Sequence, residues 1–163
     1  MRSVLLVAGL VTACGSDSVL GPHLTVGELA GSWSLTRWEL INAANSAERT
    51  DLMPVGGGAV LAIYAPGAFI FTIFIPDLGS LVVQRGTVTI RGDTLTRHVT
   101  TTTVAPYPST VADAGRLESD TVLFVIRLTG NVMSWRTIAI QPIDMDGDGV
   151  PEETVEELIF EQH

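Results

Sequence analysis

From Gly31 onward, apolar residues recur at intervals nearer to two than to 3.6, the spacing of half-buried strands rather than of amphipathic helices. The stretch Gly-Ser-Trp-Ser-Leu-Thr-Arg-Trp-Glu-Leu-Ile-Asn at 31–42 sets the pattern, with no Pro and no Gly after its first residue. Similar runs follow at 59–65, 68–75, 81–91, 94–104, 117–129, 132–143 and 153–161. Each is cut off by turn chemistry: Pro66-Gly67, Pro76-Asp-Leu-Gly79, Gly92-Asp93 and Gly130-Asn131. Two longer irregular stretches, 43–58 and 105–115, read as loops, the first carrying the glycine triplet Gly56, Gly57 and Gly58. No P-loop Lys follows that triplet, so it reads as a loop over the barrel mouth rather than a phosphate cradle. A single helical turn is expected at 24–30, with Thr25 as N-cap and Glu28 at capping-box spacing. The pattern predicts an all-β fold: an eight-stranded antiparallel up-and-down barrel.

Alternation also predicts which residues share a face. In 68–75, Phe69, Phe71, Ile73 and Ile75 oppose Ile70, Thr72 and Phe74, so both faces of this strand are apolar. An outward apolar face is expected to lie under a loop, a partner or a membrane surface. Val88 and Ile90 share a face, as do Leu95, Arg97 and Val99, then Val122, Phe124, Ile126 and Leu128, and finally Leu158 and Phe160.

Before the barrel, residues 1–14 read Met-Arg-Ser-Val-Leu-Leu-Val-Ala-Gly-Leu-Val-Thr-Ala-Cys: one positive charge, an apolar run, then small residues. The run is shorter than the roughly 20 residues that span a bilayer and matches an export signal. Its end, Val11-Thr12-Ala13-Cys14, resembles the bacterial lipoprotein cleavage box, which implies that Cys14 becomes the lipidated first residue of the mature protein. Cys14 is the sole cysteine, so no internal disulfide can form. The expected organisation is a signal peptide at 1–13, a flexible tether at 14–23 and a barrel domain at 24–163. Gly15, not Asp, follows the cysteine, which favours an outer-membrane over an inner-membrane address in an envelope with two membranes.

At this size one core suffices, since roughly 68–70% of the unfolded surface can be buried without disulfide or metal. The formal charge is −9, every base is Arg, and eight acids with no base lie from Asp144 onward. Nothing here could neutralise a row of phosphates, which argues against a nucleic-acid partner.

Three motifs together, Leu29-Ala-Gly-Ser-Trp-Ser-Leu, Gly86-Thr-Val-Thr-Ile-Arg-Gly-Asp-Thr-Leu-Thr and Leu128-Thr-Gly-Asn-Val-Met-Ser-Trp, resemble the bacterial lipocalin-like lipoproteins. The resemblance implies an eight-stranded barrel opening on Gly-x-Trp, with Trp33 closing its floor. In true lipocalins an Arg from the last strand lies over that Trp; here 153–161 contains no Arg, so Arg136 or Arg37 would have to substitute. A barrel of this size is either filled by side chains or holds one small ligand. Trp33, Arg37, Phe69, Phe71 and Phe124 are the expected ligand-contacting interior positions, with Arg37 and Glu39 available for a polar head group. The alternative is a packed interior, with the hairpin spanning 59–75 joining a partner or a second copy.

The sharpest chemical signal is Asp144-Met-Asp-Gly-Asp-Gly-Val-Pro-Glu-Glu. Carboxylates at Asp144, Asp146 and Asp148, with Glu153 completing the shell, offer the hard oxygens that suit a structural Ca²⁺. The loop resembles EF-hand and dockerin-type loops over its first six residues, but Val155 stands where the bidentate Glu belongs, so Glu152 or Glu153 would serve. The alternative is an ion-free Asp-Gly turn. His23 lies in the tether, His163 ends the chain, only His98 lies in a strand, and no Gly-x-Ser-x-Gly occurs, so no catalysis is expected. The composite expectation is a lipid-anchored cell-envelope barrel that binds a small apolar ligand non-catalytically.

Overall fold

The computed structural model describes residues 24–106, 115–117, 120–138, 141–145 and 147–163. Helix α1 (Val26–Leu29) leads into β1 (Gly31–Asn42), followed by β2 (Arg49–Asp51), β3 (Gly58–Tyr64), β4 (Ala68–Ile75), a 3₁₀ turn at Pro76–Leu78, β5 (Ser80–Arg91), β6 (Thr94–Pro106), β7 (Gly115–Leu117), β8 (Asp120–Thr129), β9 (Val132–Thr137), β10 (Gln141–Ile143) and β11 (Glu152–Gln162). Antiparallel pairing runs β1–β3–β4–β5–β6–β8–β9–β11 and returns to β1, closing an eight-stranded barrel. The short strands β2, β7 and β10 add to β1, β6 and β11. The run 132–143, expected as one strand, divides into β9 and β10. Thr137, the last residue of β9, is buried, and its hydroxyl accepts the Glu156 N–H at 2.8 Å.

Local chemistry explains the turns. Gly92 (φ 64°) and Gly130 (φ 60°) occupy the first position of two-residue hairpin loops, while among the described residues no non-glycine has positive φ; this is the II′ arrangement, which follows the strand twist. The β3–β4 turn spans Tyr64 to Gly67, closed by the Gly67 N–H to the Tyr64 carbonyl at 2.6 Å, with Ala65–Pro66 cis. Pro66 and Gly67, which the sequence marks as a turn, are therefore its third and fourth residues. At α1, the Thr25 N–H and hydroxyl both donate to Glu28 Oε2, at 2.6 and 2.8 Å. The small helix thereby plugs one end of the barrel: Leu29 is fully buried, and its carbonyl accepts the Trp33 indole N–H at 2.9 Å.

Two bulges interrupt the ladder. β1 carries one extra residue, Thr36, opposite β11, and β6 carries Thr100 opposite β5. In both, the threonine hydroxyl donates across the break at 3.1 Å, Thr36 to the Ile159 carbonyl and Thr100 to the Arg85 carbonyl. Each bulge exchanges the faces of the residues beyond it.

Beside the second bulge, Gly86 has no room for a side chain: a Cβ there would fall 1.9 Å from the His98 carbonyl oxygen and 2.9 Å from the Phe69 ring. Since backbone must shift to admit a methyl, Gly86→Ala is expected to cost about 3 kcal/mol, measured as a lowered urea midpoint with unchanged slope.

The Thr25 hydroxyl, then its N–H, hold the Glu28 carboxyl below the usual carboxylate range. A depressed folded value stabilises the cap above the unfolded pKa of 4.5, and that contribution disappears as pH falls through the folded value. On acid titration the Trp33 Nε1–H resonance should move as α1 loosens, and Glu28→Gln should remove that transition.

Candidate ligand site in the barrel interior

The closed wall gives the inward-facing residues a lengthwise gradient. At the α1 end they are large and apolar. Trp33, Phe69, Phe71, Phe124, Trp135 and Phe160 are all buried, with Leu61, Leu95, Met133 and Leu158 between them. The Phe71 and Phe160 rings meet edge to face at 6.1 Å, and Trp135 lies 5.3 Å from Phe124 and 5.2 Å from Phe160, centroid to centroid. This is a packed aromatic floor. Four of the five expected interior positions, Trp33, Phe69, Phe71 and Phe124, belong to it.

The fifth, Arg37, does not. Thr36 bulges, so Arg37 falls opposite Ile159 on the outer face, where its half-exposed side chain lies 3.8 Å from Glu39. Glu39 in turn pairs with Arg49 at 2.9 Å, and Arg49 approaches Glu157 at 3.7 Å. The Arg37–Glu39 pair is thus part of an outer-wall ladder and unavailable to a ligand inside. Trp38 takes the inward place that simple alternation assigns to Arg37.

Beyond the floor the interior becomes polar. The Trp38 indole N–H donates to Glu156 Oε1 at 2.6 Å. Arg97, between Leu95 and Val99 on the inward face of β6, lies over the Phe124 ring with its guanidinium carbon 5.3 Å from the centroid, a cation–π arrangement. Burial pushes the Arg97 pKa down, while Glu156 and Asp120 pull it back up. Among the described residues it makes no ion pair within 4.0 Å. Among the described residues neither its buried Nε nor the buried Nε1 of Trp135 has a hydrogen-bond partner. Next to Glu156, a cavity of about 190 Å³ is lined by Leu40, Leu52, Thr137, Ile143 and Thr154.

Neither Arg136 nor Arg37 lies over Trp33; both are exposed, because both fall on outward positions of their strands. Leu29 supplies the partner to the Trp33 indole that an arginine was expected to supply. Alternation along β6 had placed Arg97 in register with Leu95 and Val99. A charge in an apolar register was the signal for it, as Glu156 in register with Leu158 and Phe160 was for its neighbour.

The acidic turn folds on itself. Oxygens of Asp144, Asp148 and Glu152 come within 4.8 Å of one another. Asp144 accepts the N–H groups of Gly147 and Gly149 at 2.7 and 2.9 Å, Asp148 accepts that of Val150 at 2.7 Å, and Glu152 accepts that of Met145 at 2.6 Å. Glu152, not Glu153, is the glutamate brought to the group: it pairs with Ile143 at the start of β11, and the next residue along the pleat is exposed. Asp146 and Cys14, with the expected signal and tether, lie outside the described residues. Of the histidines, His98 Nδ1 lies 2.8 Å from the Thr121 hydroxyl, and His163 Nε2 is in contact with the Ser34 hydroxyl.

The glycine triplet packs against the β4 end, where a Cβ on Gly57 would fall 2.5 Å from the Phe74 carbonyl oxygen. With Ser34, Val60 and Thr72 it borders an open outer groove of about 410 Å³, where β1 and β3 part after pairing from Gly31–Ile63 to Ser34–Val60.

Comparison with protein-family models, curated proteins and solved structures finds no match to this chain.

Two expectations follow from these placements. Arg37→Ala, which removes only an exposed ion pair, should change stability by less than about 0.5 kcal/mol in urea denaturation. Asp144→Ala, which strips the acceptors from two backbone N–H groups, should cost about 1–2 kcal/mol by the same measurement.

Proposed function

We propose that the protein is a lipid-anchored envelope barrel that holds one small, largely apolar ligand without transforming it, in the manner of the lipocalin-like lipoproteins its motifs resemble. The observation that carries this reading is the cavity at the open half of the interior, walled by Leu40, Leu52, Ile143, two threonines and Glu156. It is smaller than the roughly 300 Å³ at which drug-sized pockets begin, so the ligand is correspondingly small. The leader ending in Cys14 supports anchoring, with 14–23 as the tether and the outer membrane as the address.

A second reading has its own support. The α1 end is filled, and β3 and β4 present Val60, Ile70 and Phe74 outward, which suits a structural module that pairs with an envelope partner or a second copy through the 59–75 hairpin. In either reading the acidic turn is structural, and the oxygens of Asp144, Asp148 and Glu152 supply a partial shell for Ca²⁺.

Native mass spectrometry of the purified mature protein, with and without chelator, separates these readings. The expected result is a monomer carrying a small apolar molecule and one Ca²⁺ that chelator removes. A bare dimer would replace the carrier by the interaction module, and mass unchanged by chelator would remove the ion.

A further inference from the structure

We propose that the ligand of the interior cavity carries a protonated amine on a short apolar chain, with the Glu156 carboxylate as its counter-ion. This deepens the carrier reading above and rests on it.

The lining of the cavity sets the head group. Leu40, Leu52 and Ile143 supply its apolar walls, and its polar groups are the hydroxyls of Thr137 and Thr154 and the carboxylate of Glu156. Among these residues no side chain carries an N–H, so the cavity is rich in oxygen lone pairs and poor in donors. Glu156 is held in place with accepting capacity left over. Its Oε1 takes the Trp38 indole N–H at 2.6 Å, and its backbone N–H donates to Thr137 Oγ1 at 2.8 Å. Among the described residues no hydrogen bond reaches Oε2, and no ion pair of Glu156 lies within 4.0 Å. The Thr137 hydroxyl, only 6% exposed, uses one lone pair on the Glu156 N–H and keeps the other. An ammonium group, which brings donors and no acceptor, complements such a lining; a carboxylate or a bare carbonyl does not.

Charge points the same way. Arg97 lies over the Phe124 ring and does not line the cavity, and its attraction to Glu156 is shared with Asp120. Arg49 is engaged on the outer wall with Glu39 at 2.9 Å. The chain from Asp144 onward, which contributes Thr154 and Glu156 to the lining, holds eight acids and no base. That field draws a cation toward the cavity and repels an anion. Volume sets the chain: about 190 Å³ is slightly more than the roughly 150 Å³ that admits benzene, room for a short alkyl chain and little more.

The test is a titration of the isotope-labelled mature protein with hexylamine, hexanol and hexanoic acid at about pH 8, where model amines are protonated and model carboxylic acids ionised. Binding is read on the indole N–H resonances: Trp38, bonded to Glu156, reports on the cavity, and Trp33 and Trp135, buried in the floor, serve as internal controls. Hexylamine should half-saturate the Trp38 shift at roughly tenfold lower concentration than hexanol, the equivalent of about 1.4 kcal/mol, with hexanoic acid weaker than either. Glu156→Gln, which keeps an oxygen for Trp38 and loses the charge, should bring the amine-to-alcohol ratio below about twofold with the Trp33 resonance in place. Glu157→Gln, which removes an acid from the outer wall beside Arg49, should leave the roughly tenfold ratio standing. Equal binding of amine and alcohol by the unaltered protein would overturn the proposal, as would tightest binding of the acid, a preference that survives Glu156→Gln, or one lost equally in Glu157→Gln. Hexanol binding alone would leave the carrier reading intact, whereas a Trp38 resonance unmoved by all three compounds would overturn that reading itself.

Discussion

Everything inside this protein depends on the pairing of its first long strand with its last. From Trp33 opposite Gln162 to Asn42 opposite Thr154, β1 and β11 exchange ladder hydrogen bonds, and the sheet has no seam along that line. An open sheet would leave two rows of unpaired N–H and C=O groups and a hydrophobic face on the solvent. Closure removes both problems and creates an interior, so inward residues from distant parts of the sequence become neighbours. Phe71 and Phe160, whose rings touch edge to face, are far apart along the chain and meet only because the sheet meets itself.

The two threonine bulges decide what that interior contains. Without the extra residue at Thr36, plain alternation would carry Trp33 and Leu35 inward and then Arg37 with them; with it, Trp38 comes in and Arg37 goes out to the Glu39–Arg49 ladder. At Thr100 the same device leaves Val99 inward below the break and Thr102 buried above it. In each case a hydroxyl bonded to a carbonyl of the partner strand bridges the broken ladder, which explains why a residue with a short polar side chain occupies the position.

The interior then divides along its length. At the α1 end, tryptophan and phenylalanine rings fill the space beneath Leu29 and hold it rigidly. Toward the other end the same strands contribute Arg97, Glu156, Thr137 and Thr154, groups that burial alone would exclude. A barrel that served only as a core would place apolar residues there as well. Arg97 is held in place by the Phe124 face and by the field of Glu156, so the polar groups are concentrated in one half and the packed rings in the other.

The sequence by itself determined the eight wall strands though not the short added ones, most turns, the small capping helix, and the parity of residues within each uninterrupted strand, because those depend on local propensity and on a period of two. Phe69, Phe71, Phe124 and Trp33 were legible as interior for that reason, and so was the pairing of Thr25 with Glu28. What only the tertiary structure decided depends on partners remote in sequence. The bulge at Thr36 exists only opposite β11, so the outward turn of Arg37 had no local mark. The convergence of Arg97, Glu156 and Trp38 needs β6, β11 and β1 at one level of a closed wall. In the acidic turn, composition announced the carboxylates, but the choice of Glu152 over Glu153 was made by the register of β10 against β11, which sets the side of the pleat each one occupies.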